Sequence, residues 1–535
     1  MTATFQTFLL LVAVLAATAT LARKFNLAPA ILLLVTGIAL AFIPGLPPVV
    51  LAPEIVLLML LPPLIYSAGV SMSWREFKSN LRPITMLAIG CVVFTTCAVA
   101  TATHLLLGLP WAVGFLLGAI VSPPDVVAPL AIARRLKMPR RILVILEGEG
   151  LVNDATALIL YRFAVIAITA GTFSLTKATG TFAAIVASEL VWGIAVGWLS
   201  LRLRQWARDP RIEITLSLLT PYLAYWVPEH LGGSGVLATV AAGIYVSWNG
   251  PLRISSATRL QGVFFWDLVI WLIEGLLFLL IGFQMRLLME KANALPAGEV
   301  VTAIALVSAI VIVARFAWVF PATYLPRWMS KRIAQSDPLP SWRSVFVVSF
   351  TGIRGVVSLA AALAIPLTLP NGDAFPHRDL ILFVSFGVIF VTLVGLGLTL
   401  PFVVKLLGLN AHGRSEEHQQ RESEIAARRI IIESGRAHLD GMIASGTLSE
   451  SLTGFLEARH NTRVLALPDP PKEDGLLTPS TLGAPLVRQI IAAERKRLHE
   501  LLREGQITDE TRRRIERDLD LEEAVVDNRE KSGPV

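Results

Sequence analysis

The sequence is short of charge. Only 16% of its residues are Asp, Glu, Lys or Arg, against roughly 25% in soluble domains, so a water-soluble fold is excluded for most of the chain. Cysteine is nearly absent. Cys91 and Cys97 are the only two, and both lie in one apolar run, which leaves neither a disulfide framework nor a thiolate metal site. The eight histidines are scattered, none of them central in an apolar run. No Lys or Arg precedes the first apolar stretch, whereas Arg23 and Lys24 follow it. That order is the reverse of a secretory signal, so the stretch is expected to stay attached. The net charge of +7 would suit nucleic acid, but the basic residues adjoin apolar runs, where membrane topology accounts for them. No nucleic-acid partner is expected.

What the chain has is hydrophobic length. Of its 535 residues 54% are hydrophobic. Thirteen runs fall near 4–22, 27–44, 49–70, 84–107, 110–132, 142–169, 181–201, 212–228, 233–248, 262–285, 299–323, 344–369 and 379–406, each close to the ~20 residues that cross a bilayer. The expectation is an all-α, multi-pass membrane domain over 1–406 and a polar, helical tail over 407–535. Loop charge tests the count. If Arg23 and Lys24 are cytoplasmic, alternate loops carry 20 Lys and Arg residues, including Arg75, Arg82, Arg141, Arg204, Arg259 and Arg327, and the intervening loops carry 4. By the positive-inside rule the N-terminus is then outside and the tail cytoplasmic, as in a bacterial inner membrane. In the tail, LPDPPKEDG is a Pro-rich break, and the last stretch reads as two amphipathic helices joined at Gly505 with Thr508 as a cap. A regulatory or dimer-contacting role and a self-packed bundle both fit.

Charge inside the runs is costly, at least ~2.5–3.5 kcal/mol per group at the bilayer centre, and therefore points to function. The sixth run, ILVILEGEGLVNDATALILYRF, holds Glu147, Glu149, Asn153 and Asp154. Asp154 falls near mid-depth and about 140° around the helix from Glu149, so the two acids can face different surroundings. Glycines 148 and 150 suggest close approach by another backbone. The twelfth run, VFVVSFTGIRGVVSLAAALAIP, places Arg354 at mid-depth. A guanidinium there keeps its proton and needs a counter-charge, and Glu149 is the expected partner in a structural ion pair. In the fifth run, SPPDVVAP must interrupt its helix near Pro123 and Pro124, and non-helical backbone at that depth lines a cavity. Its freed carbonyls and Asp125 are candidate ion ligands. Glu147 and Glu274 are candidates for an access or proton pathway. The GxG of EGEGLVND has no strand–helix unit around it and is no nucleotide fingerprint. A carboxylate at Asp154 that holds either a proton or a monovalent cation would couple the two. Asn153 is neutral, so one titrating charge implies one-for-one, electroneutral exchange.

At EGEGLVND, SPPDVVAP, GIRGVVSL and LPPLIYSAG the chain resembles the monovalent cation:proton antiporters, in the sodium/proton exchanger branch that includes bacterial NhaP-type and animal NHE-type proteins. The resemblance runs over about residues 5–405. It implies Asn153 and Asp154 as the ion site, a Glu149–Arg354 bridge, two inverted repeats with crossing interrupted helices, a homodimer and an elevator motion. It implies Na+ or K+ and H+ as transported ions, a lipid bilayer as the setting, no cofactor and no enzymatic activity. Three positions depart from the family pattern: Ser67 stands where an acid is usual, Gly150 where a Ser is usual and Pro124 where a Thr is usual. Each alters a potential ligand and shifts the expected cargo from Na+ alone toward Na+ with K+ or Li+. K+/H+ antiport, an ion channel and an intramembrane aspartyl hydrolase using Asp154 and Asp125 are the alternatives.

Overall fold

In a computed structural model of the chain, the described residues are 2–25, 28–44, 46, 52–170, 175–251, 253–286, 289, 296–446, 448–465, 479–504, 515–516 and 518–526. They are helical, and they form two compact units, 1–413 and 414–535.

The first unit is the apolar one. Among the described residues, seven helical stretches are long and apolar enough to cross a membrane: Gln6–Lys24, Leu81–Leu107, Arg140–Thr169, Thr179–Ala207, Ser256–Phe283, Ala297–Met329 and Arg378–Leu406. Four shorter apolar helices, Pro29–Ala41, Ile55–Ser71, Trp111–Val121 and Val236–Asn249, lie among them. In chain order the unit's helices are α1 (Thr2–Lys24), α2 (Pro29–Ala41), α3 (Leu61–Ser71), α4 (Trp74–Ser79), α5 (Leu81–Thr85), α6 (Val92–Leu107), α7 (Trp111–Val121), α8 (Val127–Arg135) and α9 (Arg140–Ala170). They continue with α10 (Leu175–Ala207), α11 (Pro210–His230), α12 (Val236–Asn249), α13 (Ser256–Phe283), α14 (Ala297–Met329), α15 (Lys331–Ser336), α16 (Trp342–Phe350), α17 (Val356–Leu363), α18 (Arg378–Phe390) and α19 (Gly397–Leu406). Wider π-helical turns join α5 to α6 and α18 to α19. Local chemistry sets several starts. Pro29 opens α2, the Asp209 carboxylate accepts from the Arg211 and Ile212 amides ahead of α11, and Ser255 and Ser341 cap α13 and α16.

Two spans are broken in the middle. α7 and α8 are separated by Ser122–Val126, where the two prolines of SPPD remove backbone donors. α16 and α17 are separated by 351–355, the TGIRG segment. The two breaks meet, since the Asp125 amide donates to the Ile353 carbonyl at 2.7 Å. Around them α9 packs against α7, α12 and α3, and α18 against α7 and α14. The core is a continuous apolar cluster drawn from α2, α3, α7, α9, α12–α14, α17 and α18. Large apolar side chains such as Val191, Phe264 and Val301 stay exposed on the outer faces, as expected of a lipid-facing surface.

The second unit holds helices Glu450–Leu465 and Pro479–Arg503 and most of Leu409–Ala444. Ile491 and Leu498 are buried on one side of Pro479–Arg503, the side-chain segregation expected of an amphipathic helix. The Pro-rich break and the junction at Gly505 and Thr508 lie outside the described residues.

Candidate ion site at the crossing of two interrupted helices

Asn153 and Asp154 stand beside each other on α9 where it passes the break between α7 and α8. Asn153 is fully buried, and its amide Nδ2 donates to the Pro124 carbonyl at 2.7 Å. Its Oδ1 is buried with no partner among the described residues. Asp125 divides its carboxylate between two tasks. Oδ1 accepts from the Val127 amide at 2.9 Å, capping the half-helix α8, while Oδ2 is buried and unpartnered. Asp154 takes no hydrogen bond from the described residues and is half-buried. The charges of Asp125 and Asp154 act on each other. Two unsatisfied oxygens and a free carboxylate beside an unwound helix are what an oxygen-seeking cation needs, and unmet buried acceptors are otherwise rare.

Close approach builds this crossing. A methyl group on Gly355 would lie 1.9 Å from Asp125 Oδ2, so only glycine lets the second break press against the Asp125 carboxylate. Gly148 and Gly150 act differently from the expectation. They face side chains rather than backbone, Gly148 the tip of Ile84 and Gly150 the branch of Val126, whose Cγ2 would be 2.4 Å from an added Cβ. Gly150→Ser is therefore expected to cost stability, about 1–3 kcal/mol for overpacking, and Val126→Ala in the same chain is expected to recover most of it. Thermal melts of the purified single and double variants check this, and an unchanged single variant would refute it.

The expected Glu149–Arg354 bridge is corrected by the structure. Glu149, fully buried, is held bidentate by Arg315 of α14, with Nη1 to Oε1 at 2.6 Å and Nη2 to Oε2 at 2.9 Å. The Arg315 Nε also donates to the Val348 carbonyl at 3.2 Å. Arg354 instead donates to backbone oxygens: Nε to Val121 at 2.9 Å, Nη2 to Ser122 at 3.3 Å and Nη1 to Gly352. Its own amide donates to Thr392 Oγ1 at 3.1 Å. The physical reason is the break itself. The end of α7 leaves carbonyls without helical partners and carries the negative end of the helix dipole, so Arg354 caps it and needs no carboxylate. Arg315 has no glycine-flanked motif to mark it, unlike Arg354. Its signal was present, a guanidinium midway along the apolar run 299–323.

Other candidates are placed less centrally. Glu147 pairs with Arg134 at the end of α8, at 2.7 Å, with the arginine largely exposed. Glu274 on α13 is half-buried and feels the charges of Asp125 and Arg134. Pro124 is buried and contributes its carbonyl to Asn153. Ser67 is half-buried on α3 and shares no hydrogen bond with Asn153, Asp154 or Asp125 among the described residues. A further acid that the sequence reading did not single out, Glu189 on α10, is fully buried but satisfied. It accepts from the amides of Ser234 (2.6 Å), Gly235 (3.2 Å) and Leu237 (3.2 Å) at the start of α12. Glu189 caps a helix, and its unmet capacity is small compared with that of Asp154.

Comparison with known proteins bears on the family and the fold. The family described as sodium/hydrogen exchanger, transmembrane matches residues 10–406. A Mycobacterium tuberculosis protein named as an uncharacterized Na+/H+ exchanger is 33% identical across 96% of this chain and 94% of its own length. The Na+/H+ antiporter ApNhaP of Aphanothece halophytica is 31% identical across 81% of each chain. A Bacillus pumilus relative, named a sodium, potassium, lithium and rubidium/H+ antiporter, is 32% identical across 69% of this chain and 56% of its own. The solved sodium proton antiporter MjNhaP1 of Methanocaldococcus jannaschii superposes with a TM-score of 0.59 over 76% of this chain and 99% of that one, at 19% identity, which is a likeness of fold. With its broken helices crossing beside an Asn-Asp pair, this multi-pass membrane protein belongs to the sodium/hydrogen exchanger family.

Proposed function

We propose that the chain exchanges Na+, with K+ and Li+ as alternative cargo, for H+ by letting cation and proton compete for Asp154, one for one and without net charge movement. The observation that carries this reading is that Asp154 is half-buried and takes no hydrogen bond from the described residues, whereas Glu149 and Asp125 each have a donor on at least one carboxylate oxygen. Glu149 is neutralised by Arg315, Asn153 carries no charge, and Asp125 is held by the start of α8. Of the three acids, Asp154 is the one that no donor among the described residues holds. The unpartnered oxygens of Asn153 and Asp125 would complete the cation's shell, and the wider cargo follows the departures at Ser67, Gly150 and Pro124 and the Bacillus pumilus relative's name.

The test is proton release from everted vesicles, read by a pH-sensitive dye, on adding Na+, K+ or Li+ in turn. Exchange with at least one cation is expected, at a rate that does not change when valinomycin and K+ clamp the membrane potential. A potential of 100 mV is worth about 2.3 kcal/mol per charge moved, so a net charge would show as a clear rate change and defeat the stoichiometry. Silence toward all three cations would defeat the exchange itself. The excess of basic residues in alternate loops supports an outside N-terminus and a cytoplasmic tail in a bacterial inner membrane. A fluorescent protein fused at the C-terminus should be bright and a phosphatase there inactive, and the reverse pattern would invert the topology. The resemblance further supports a homodimer and a regulatory tail. Single-particle mass in detergent tests the first, and removal of 414–535 with a changed pH profile tests the second.

A further inference from the structure

Two arginines on the basic face of the membrane unit each hold an acid of their own. Arg140 grips Glu76 through Nε (3.0 Å) and Nη2 (2.6 Å), and Arg134 grips Glu147. One cluster breaks that pattern. Arg82 of α5, Arg141 in the first turn of α9 and Arg327 in the last turn of α14 converge on a single carboxylate, Asp337, in the segment between α15 and α16. Arg82 Nη2 and Arg327 Nη2 each reach Oδ2 at 2.7 Å, and Arg141 Nη2 reaches Oδ1. Arg327 Nε also donates to the Asp337 carbonyl at 3.0 Å, and Arg141 Nε to Asn80 Oδ1 at 3.3 Å.

The count of charges is three to one. Burial alone would raise the Asp337 carboxyl, but hydrogen bonds from Arg141 and Arg327 and their charges outweigh it and hold the group below its ordinary value. Asp337 is therefore ionised near neutral pH, and two positive charges remain in a small volume. Arg82 Nη1 is buried and has no acceptor among the described residues, so these residues supply fewer acceptors than the cluster has donors. The Arg82 and Arg141 side chains keep 26% and 36% of their surface exposed, so the cluster can be reached from outside. Its depth is marked by exposed tryptophans, Trp328 next to Arg327 and Trp342 at the start of α16, residues that favour the headgroup layer.

We propose that Arg82, Arg141 and Arg327 form a binding site for a phosphate-bearing anion, whose oxygens would take the unmet donors and offset the two excess charges. Guanidinium groups suit this ligand because their planar donors match phosphate oxygens, and basic pockets between membrane helices bind lipid headgroups by the same chemistry. The phosphate could be carried by an anionic lipid or be free in solution. The inference does not depend on the exchange reaction.

The experiment uses delipidated full-length protein and native mass spectrometry during titration with phosphatidylglycerol or phosphatidylcholine, and a thermal-shift titration with inorganic phosphate. Phosphatidylglycerol is expected to bind saturably and in preference to phosphatidylcholine, and Arg82→Gln to weaken it about tenfold, the equivalent of one charge-assisted hydrogen bond. Asp337→Asn is expected to bind more tightly, because the three guanidinium groups lose their internal counter-ion. Should a variant fail to fold by circular dichroism, Arg141→Gln takes its place with the same expected weakening as Arg82→Gln. Arginine-dependent binding of inorganic phosphate without preference for phosphatidylglycerol supports the site with a soluble ligand. No preference for either phosphate over phosphatidylcholine overturns the proposal, as does binding that neither arginine variant alters.

Discussion

Asp154→Asn is expected to leave the protein folded and silent: no cation should release protons from vesicles carrying it beyond the response of empty vesicles. Asparagine has nearly the same volume and keeps an oxygen for a cation, but it cannot alternate between a charged and a protonated state. Competition then has no group to act on. Stability should be close to that of the parent, because Asp154 takes no hydrogen bond from the described residues and a neutral amide removes like-charge interaction with Asp125. The two measurements belong together. Dye dequenching in everted vesicles reports exchange, and a melting curve in detergent reports fold. A full dequenching response from a well-folded Asp154→Asn protein would remove Asp154 from the mechanism.

The opposite pattern is expected one and a half turns away. Glu149→Gln leaves the Arg315 guanidinium buried without its counter-ion, and breaking a buried pair from one side costs about 3–5 kcal/mol. That is a large share of the 5–15 kcal/mol typical of folded proteins, so the variant should express poorly and melt far below the parent. Arg315→Met alone should do the same by stranding Glu149. Replacing both, Glu149→Leu with Arg315→Met, removes the uncompensated charge and is expected to recover most of the loss, since apolar pairs of similar volume often match a buried ion pair. By contrast, a single Arg354→Gln should cost less than Arg315→Met, because Arg354 serves backbone carbonyls rather than a carboxylate. Melting temperatures of the four variants beside the parent decide it. Equal melting of Glu149→Gln and the parent would show that the pair contributes little to stability.

The contrast between Glu149 and Asp154 shows how much of the site could be read in advance. Helical spacing alone put the two acids on different faces of α9, and the structure gives one a fully buried partner and the other an accessible surface. Proline chemistry located the first break between α7 and α8. What spacing did not yield was the identity of partners. Arg354 and Arg315 are both single guanidinium groups in apolar runs, and a one-dimensional pattern has no term that says which of them faces Glu149. The choice depends on where α14 crosses α9 and on the carbonyls freed at the end of α7.

Composition and periodicity by themselves determined that this chain lives in a bilayer, that its spans are helices and which few charged residues within them are the candidates for function. Those conclusions follow from the transfer cost of each residue, which is a property of the residue and not of its neighbours. Only the tertiary structure decided that two broken helices bond to each other at Asp125 and Ile353, that Glu149 belongs to Arg315, and that three arginines distant in sequence share Asp337. Each of these is a distance between segments far apart along the chain, set by close packing of helices whose order in space the residue pattern does not encode.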